Sequence, residues 1–66
     1  MFFSVWDADE GVLIVGRADR NVAMTALLAL GMKAAPAKLL LDDVAADPEG
    51  MAIERAGITV LASTEG

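Results

Sequence analysis

The chain is predicted to be α+β: a small three-stranded antiparallel sheet packed on a central buried helix and two shorter helices, in the order ββαααβ. Three observations carry this. Residues 2–6 and 12–15 are aromatic and β-branched runs around a short loop ending in Gly11, the pattern of a β-hairpin. Residues 19–32 are helix-forming and apolar between a capping acid and a glycine. Residues 58–62, Ile-Thr-Val-Leu-Ala, return to strand character and can join the hairpin as a third strand. At 66 residues the chain has room for one core only, so residues 1–66 form a single domain.

In order, the first hairpin turns through Asp7-Ala8-Asp9-Glu10-Gly11, and Gly16-Arg17-Ala18 leads from it to the first helix. Asp19 is placed to accept from free N–H groups of that helix, and Gly31 to end it in the left-handed conformation. Val22, Ala23, Ala26, Leu27 and Leu30 form one stripe, which Met24 and Leu28 widen until the helix is apolar nearly all round. Such a helix is expected to be covered on more than one side. Pro36 suits a first helical turn, and Leu40, Leu41 and Val44 follow at helical spacing, which predicts a second helix over 36–46. A short buried strand over 38–41 is the rival reading, since periodicity alone does not separate the two. Asp47-Pro48-Glu49 repeats a helix-start signal, and Gly57 would stop a short third helix carrying Met51, Ala52, Ile53 and Ala56.

Strand alternation puts Phe3 and Val5 on one side of the first strand and Phe2, Ser4 and Trp6 on the other. The second strand is apolar on both sides, and strands of that kind are normally covered on both. Either a helix folds round to the second face or a partner covers it.

Composition narrows the function. Ten acids against five bases argue against a nucleic-acid binder, which needs a basic footprint, and against an anionic membrane surface. A basic partner is the complementary inference. The apolar fraction is 56%, yet thirteen of those residues are alanine, so the core is less bulky than it sounds. Without cysteine the chain suits a reducing compartment. The N-terminus lacks the basic region of a secretory signal, and the run over 23–32 is too short for a membrane span. A soluble cytoplasmic protein is expected.

Chemistry-bearing motifs are sparse. Gly16-Arg17-Ala18-Asp19-Arg20-Asn21 joins a strand to a helix but has one glycine where a dinucleotide fingerprint needs three. Asp7, Asp9 and Glu10 resemble the start of a calcium loop, but Gly11 falls a position early and Ala18 stands where the closing acid belongs. With no His, Cys or Tyr, a nucleophile–base pair cannot be assembled. A helix-turn-helix over the first two helices would present Lys38 with two aspartates to a groove. The chain is therefore expected to be non-enzymatic, without metal or cofactor.

The acids are the strongest remaining feature. Asp42, Asp43, Asp47, Glu49 and Glu54 lie close together in the chain, and Asp7, Asp9 and Glu10 make a second patch at the hairpin tip. Asp47 and Glu49 suit a helix start, whereas Asp42 and Asp43 stand against the dipole near a helix end. Acids placed against local preference are the better candidates for a role. A tiny, acidic, cysteine-free domain of this kind resembles phage and mobile-element inhibitors such as the anti-CRISPR proteins, over the whole chain and without a shared motif. That resemblance implies an inhibitor whose acidic surface blocks a basic protein or nucleoprotein complex, such as a CRISPR effector, without touching nucleic acid or membrane. The alternative is a structural, oligomerising or antitoxin-like module, monomer or homodimer, pairing through the spare apolar sheet face by Phe2, Trp6 and Leu13.

Overall fold

A computed structural model describes residues 1–64. The elements are β1 (Phe2–Asp7), β2 (Val12–Ala18), α1 (Arg20–Ala29), α2 (Ala34–Ala45), β3 (Ile53–Arg55) and β4 (Ile58–Ser63). They form one four-stranded antiparallel sheet of order β2-β1-β4-β3, crossed on one face by both helices. The order is thus ββααββ. The predicted third strand is present as β4 and pairs with β1, but the predicted third helix is replaced by a turn and a fourth strand.

Local chemistry explains that correction. Pro48 and Glu49 make a turn in which Glu49 sits at φ 63° and Gly50 N–H donates to Asp47 C=O at 3.0 Å. Glu49 N–H donates to Ala62 C=O at 2.7 Å, which ties the turn to β4. A residue at positive φ cannot continue a right-handed helix, so the start signal is spent on a corner. Met51, assigned to a helix face in the sequence, is 87% exposed. Gly57 stops no helix: Ala56 and Gly57, at φ 53° and 77°, form the two-residue connection between β3 and β4. Positive φ at both central residues is what the favoured tight hairpin turns require.

The first helix follows its sequence signals at both ends. The Asp19 carboxylate accepts from Val22 N–H at 2.9 Å. Gly31, at φ 100°, donates to Leu28 C=O, and Met32 N–H donates to Leu27 C=O at 3.1 Å, the double bond of a Schellman ending. Its burial departs from expectation. Only Ala23, Ala26 and Leu27 are buried, while Val22 and Leu28 are 48% and 45% exposed, so α1 is covered on one side. Alanines let α1 lie close to the sheet without filling it. The bulk comes from α2, whose Ala37, Leu40, Leu41 and Val44 meet Phe3, Val5, Ile58, Val60 and Ala62. Residues 38–41 are helical, which excludes the rival strand.

β2 holds two irregularities of register. Trp6 pairs with Leu13 but Val5 pairs with Val15, leaving Ile14 extra; Phe3 then pairs with Ala18. Arg17 takes up the second bulge at φ 51° and donates its N–H to Ser4 Oγ at 3.3 Å. One extra residue flips the side chains that follow, so Val15 and Ala18 face the helices while Leu13 stays on the other face. Bulges along β2, and the three-residue length of β3, also discourage edge-to-edge strand addition.

Two outcomes test this packing. In the run Leu39-Leu40-Leu41 the first residue is 58% exposed and the others are fully buried. Leu41→Ala should cost about 2–5 kcal/mol and Leu39→Ala under about 0.5 kcal/mol in urea unfolding. Ala56→Asn should raise stability by about 0.5–1 kcal/mol, because asparagine tolerates the left-handed conformation better than alanine.

Candidate functional site

The two acidic clusters are separate in space and differ in state. Asp42, on the exposed side of α2, accepts from Arg20 of α1 and from Lys38 one turn earlier, the latter at 3.2 Å. Arg20 also donates to Lys38 C=O at 3.4 Å, so it clasps α1 to α2. Asp43 pairs with Arg55 of β3 at 2.7 Å, fixing α2 to the edge of the sheet. Hydrogen bonds from Arg20 and then Lys38 hold the Asp42 carboxyl below its usual range. Glu49 accepts from the Thr64 hydroxyl and from Thr64 N–H, and these bonds lower its carboxyl too. Asp47 lies in the corner against Gly50, where a Cβ would collide with its carboxylate. Four of the five acids between residues 42 and 54 thus sit in contacts internal to the fold, and Glu54 stands exposed on β3. The bases that answer Asp42 and Asp43 flank the acidic segment rather than lying inside it.

At the hairpin tip, Asp7 Oδ1 accepts from Asp9 N–H at 3.0 Å and Glu10 N–H at 3.4 Å, closing an Asx-type turn. Ala8 N–H donates to Gly57 C=O at 2.8 Å, and the Asp9 carboxylate packs beside Gly57. The two hairpin turns therefore abut at one end of the sheet, with Asp9 and Glu10 exposed and in no ion pair among the described residues. Asp7, Asp9 and Glu10 come together there; Asp42, Asp43 and Glu49 belong to other places.

A second surface lies on the sheet face away from the helices. Register places Leu13, Trp6, Thr59 and Glu54 in one cross-strand row, Ser4 and Leu61 in the next, and Phe2 and Ser63 in a third. Phe2, Trp6 and Leu61 are half-buried by their strand neighbours and Leu13 is 53% exposed. Both helices pack on the opposite face, so no helix lies over these side chains. The alternation of β1 pointed to Phe2 and Trp6, and Leu13 followed from the doubly apolar second strand. What residue order could not supply was the row assignment, which depends on the β2 bulges and on the β1–β4 pairing.

Among the described residues there is no pocket and no group of three or more acidic, His or Cys side chains able to hold a metal. No helix among them is long and apolar enough to cross a membrane. No family model, curated protein or solved structure matches the chain.

The lowered Asp42 and Glu49 carboxyls make a modest contribution to stability that depends on acid pH. A carboxyl lowered by folding stabilises the fold fully above its unfolded value, ordinarily 3.8 for Asp and 4.5 for Glu. That contribution is lost as pH falls through the lower native value. Melts between about pH 2 and about pH 6 should show the loss, and Asp42→Asn should shallow it while lowering the melting temperature at neutral pH.

Proposed function

We propose that this chain is a non-enzymatic protein-binding domain of the cytoplasm whose working surface is the helix-free face of the sheet. One observation carries the reading: Phe2, Trp6, Leu13 and Leu61 gather on a face that no helix covers. Isolated apolar side chains at a surface are ordinary, but a contiguous set marks an interaction site. The composition supports the non-enzymatic part, since no His, Cys or Tyr is present to serve as a nucleophile–base pair.

The acidic-inhibitor reading, of the kind the anti-CRISPR resemblance implies, retains one specific support. Asp9 and Glu10 project beside the second hairpin turn without an internal base, where a basic partner or nucleoprotein complex could engage them. Its other leading residues, Asp42 and Asp43, are already paired with Arg20, Lys38 and Arg55. An external base would have to displace those partners, which weakens them as a contact surface.

The readings separate in a capture experiment with tagged wild type, Leu13→Glu and the double variant Asp9→Lys/Glu10→Lys, at low salt and at about 1 M salt. The sheet-face reading expects one partner or a second copy retained at high salt, lost with Leu13→Glu and kept by the charge-reversed variant. Capture that is lost at high salt and with the charge reversal, but survives Leu13→Glu, would overturn it in favour of the acidic tip.

A further inference from the structure

Resting on the sheet-face reading, we infer that the occupant of this face is a second copy of the chain. The two sheets would pack face to face in a two-fold dimer with layers helix, sheet, sheet, helix.

The cross-strand register carries the argument. On the two central strands each row sets one large apolar residue beside one small polar one: Phe2 with Ser63, Leu61 with Ser4, and Trp6 with Thr59. The large member alternates between β1 and β4 from row to row. A two-fold axis running along the strands between β1 and β4 exchanges those strands and leaves the rows level. Phe2 then faces Ser63 of the other copy, Leu61 faces Ser4, and Trp6 faces Thr59. All three rows become large-against-small, the interdigitation that packed sheets use. A two-fold interface must be self-complementary, and this pattern is.

Charge agrees. Glu54 is the single ionised side chain in the three rows, and it stands at the β3 edge. The same axis keeps the rows level and sets Glu54 over Leu13 of the other copy, at the rim, where both are exposed and the carboxylate stays in water. Among the described residues the remaining acids lie on or at the start of the helices, at the first hairpin tip or in the corner before β3, away from the contact.

Extent favours a sheet over a smaller partner. Strand spacings of about 4.8 Å and a rise of about 3.3 Å per residue make the face roughly 300–400 Å² in plan. Phe2, Trp6 and Leu61 are already more than half buried, so the accessible surface is at most about 500 Å² per copy, or about 1,000 Å² in a dimer, the lower bound for a specific interface. A single docked helix, about 10 Å across, would cover two strands and leave the outer strands open. A flat surface of equal extent covers all of them. The dimer expected from this area is reversible and micromolar rather than obligate.

Trp6 is the only tryptophan, so its emission reports on this face alone. Sedimentation equilibrium and Trp6 fluorescence should be followed together from about 10 µM to about 1 mM protein. The proposal expects the mass to rise toward twice the 6.8 kDa of one chain while Trp6 emission moves to shorter wavelength over the same range. Leu61→Glu should abolish both changes, with far-UV circular dichroism confirming the fold. Leu13→Glu, at an exposed rim position, should weaken the dimer at least tenfold and serves if the first variant does not fold. A monomer over the whole range, or a dimer that leaves Trp6 emission unmoved and survives both variants, overturns the proposal. A monomer that still captures another protein in a Leu13-dependent way would overturn the second copy as occupant and leave the sheet-face reading standing.

Discussion

Because β1 and β4 pair along six residues, from Phe2 opposite Ser63 to Asp7 opposite Ile58, hairpins from the two ends of the chain become one sheet. Neither hairpin is stable alone in water. Pairing them aligns Phe3 and Val5 with Ala62 and Val60, and this joint strip is the floor on which Leu27, Leu40, Leu41 and Val44 pack. The helices lie between the hairpins in sequence, so they must cross the sheet to connect its two edges, and both do so on the same side. Alternation then assigns the remaining residues of β1 and β4 to the opposite side. The apolar face away from the helices is thus a direct consequence of the same pairing that builds the core.

The ion pairs reinforce that arrangement from its periphery. Arg20 to Asp42 joins the two helices, and Asp43 to Arg55 joins the second helix to the edge strand. Each group is exposed enough for water and salt to screen it, so these contacts orient elements already held by apolar packing. They also resolve an oddity of the sequence. Two aspartates near a helix C-terminus oppose its dipole, but a base supplied by a neighbouring element offsets the conflict. The residues that looked misplaced within their own helix are well placed in the assembled domain.

Legibility in the sequence followed the range of the determining interaction. Asp19 and Gly31 act through hydrogen bonds within a few residues, and both ends of α1 could be read from them. The first hairpin was readable for the same reason. Asp47-Pro48-Glu49 failed because those residues open a helix or a turn equally well; the choice rests on Ile53 pairing with Val60 and on Glu49 reaching Ala62 and Thr64. Ala56-Gly57 lacks the Asn-Gly or Asp-Gly signature, so a tight hairpin passed for a helix end. In α1, hydrophobicity on nearly every side suggested deep burial, but much of it is alanine, and a three-residue stripe suffices against the sheet. The Phe2 and Trp6 side of the uncovered face was visible in alternation; its row structure was not, because bulges at Ile14 and Arg17 change the facing of β2 partway along.

The uncovered face does not reflect loose folding. A monomer of 6.8 kDa is expected to expose roughly 3,950 Å², and the chain exposes 3,915 Å². The interior is therefore as complete as this mass permits, and a 56% apolar sequence holds more apolar side chains than it can enclose. Where the excess lies is the informative point. Leu39 and Met51 are single exposed residues at unrelated places, and such residues need no explanation. Phe2, Trp6 and Leu61 instead recur on successive rows of one sheet face, each beside a small polar neighbour, with Leu13 extending the Trp6 row. A surplus that only reflected composition would not keep that register. That register is the feature on which the proposed face-to-face pairing rests.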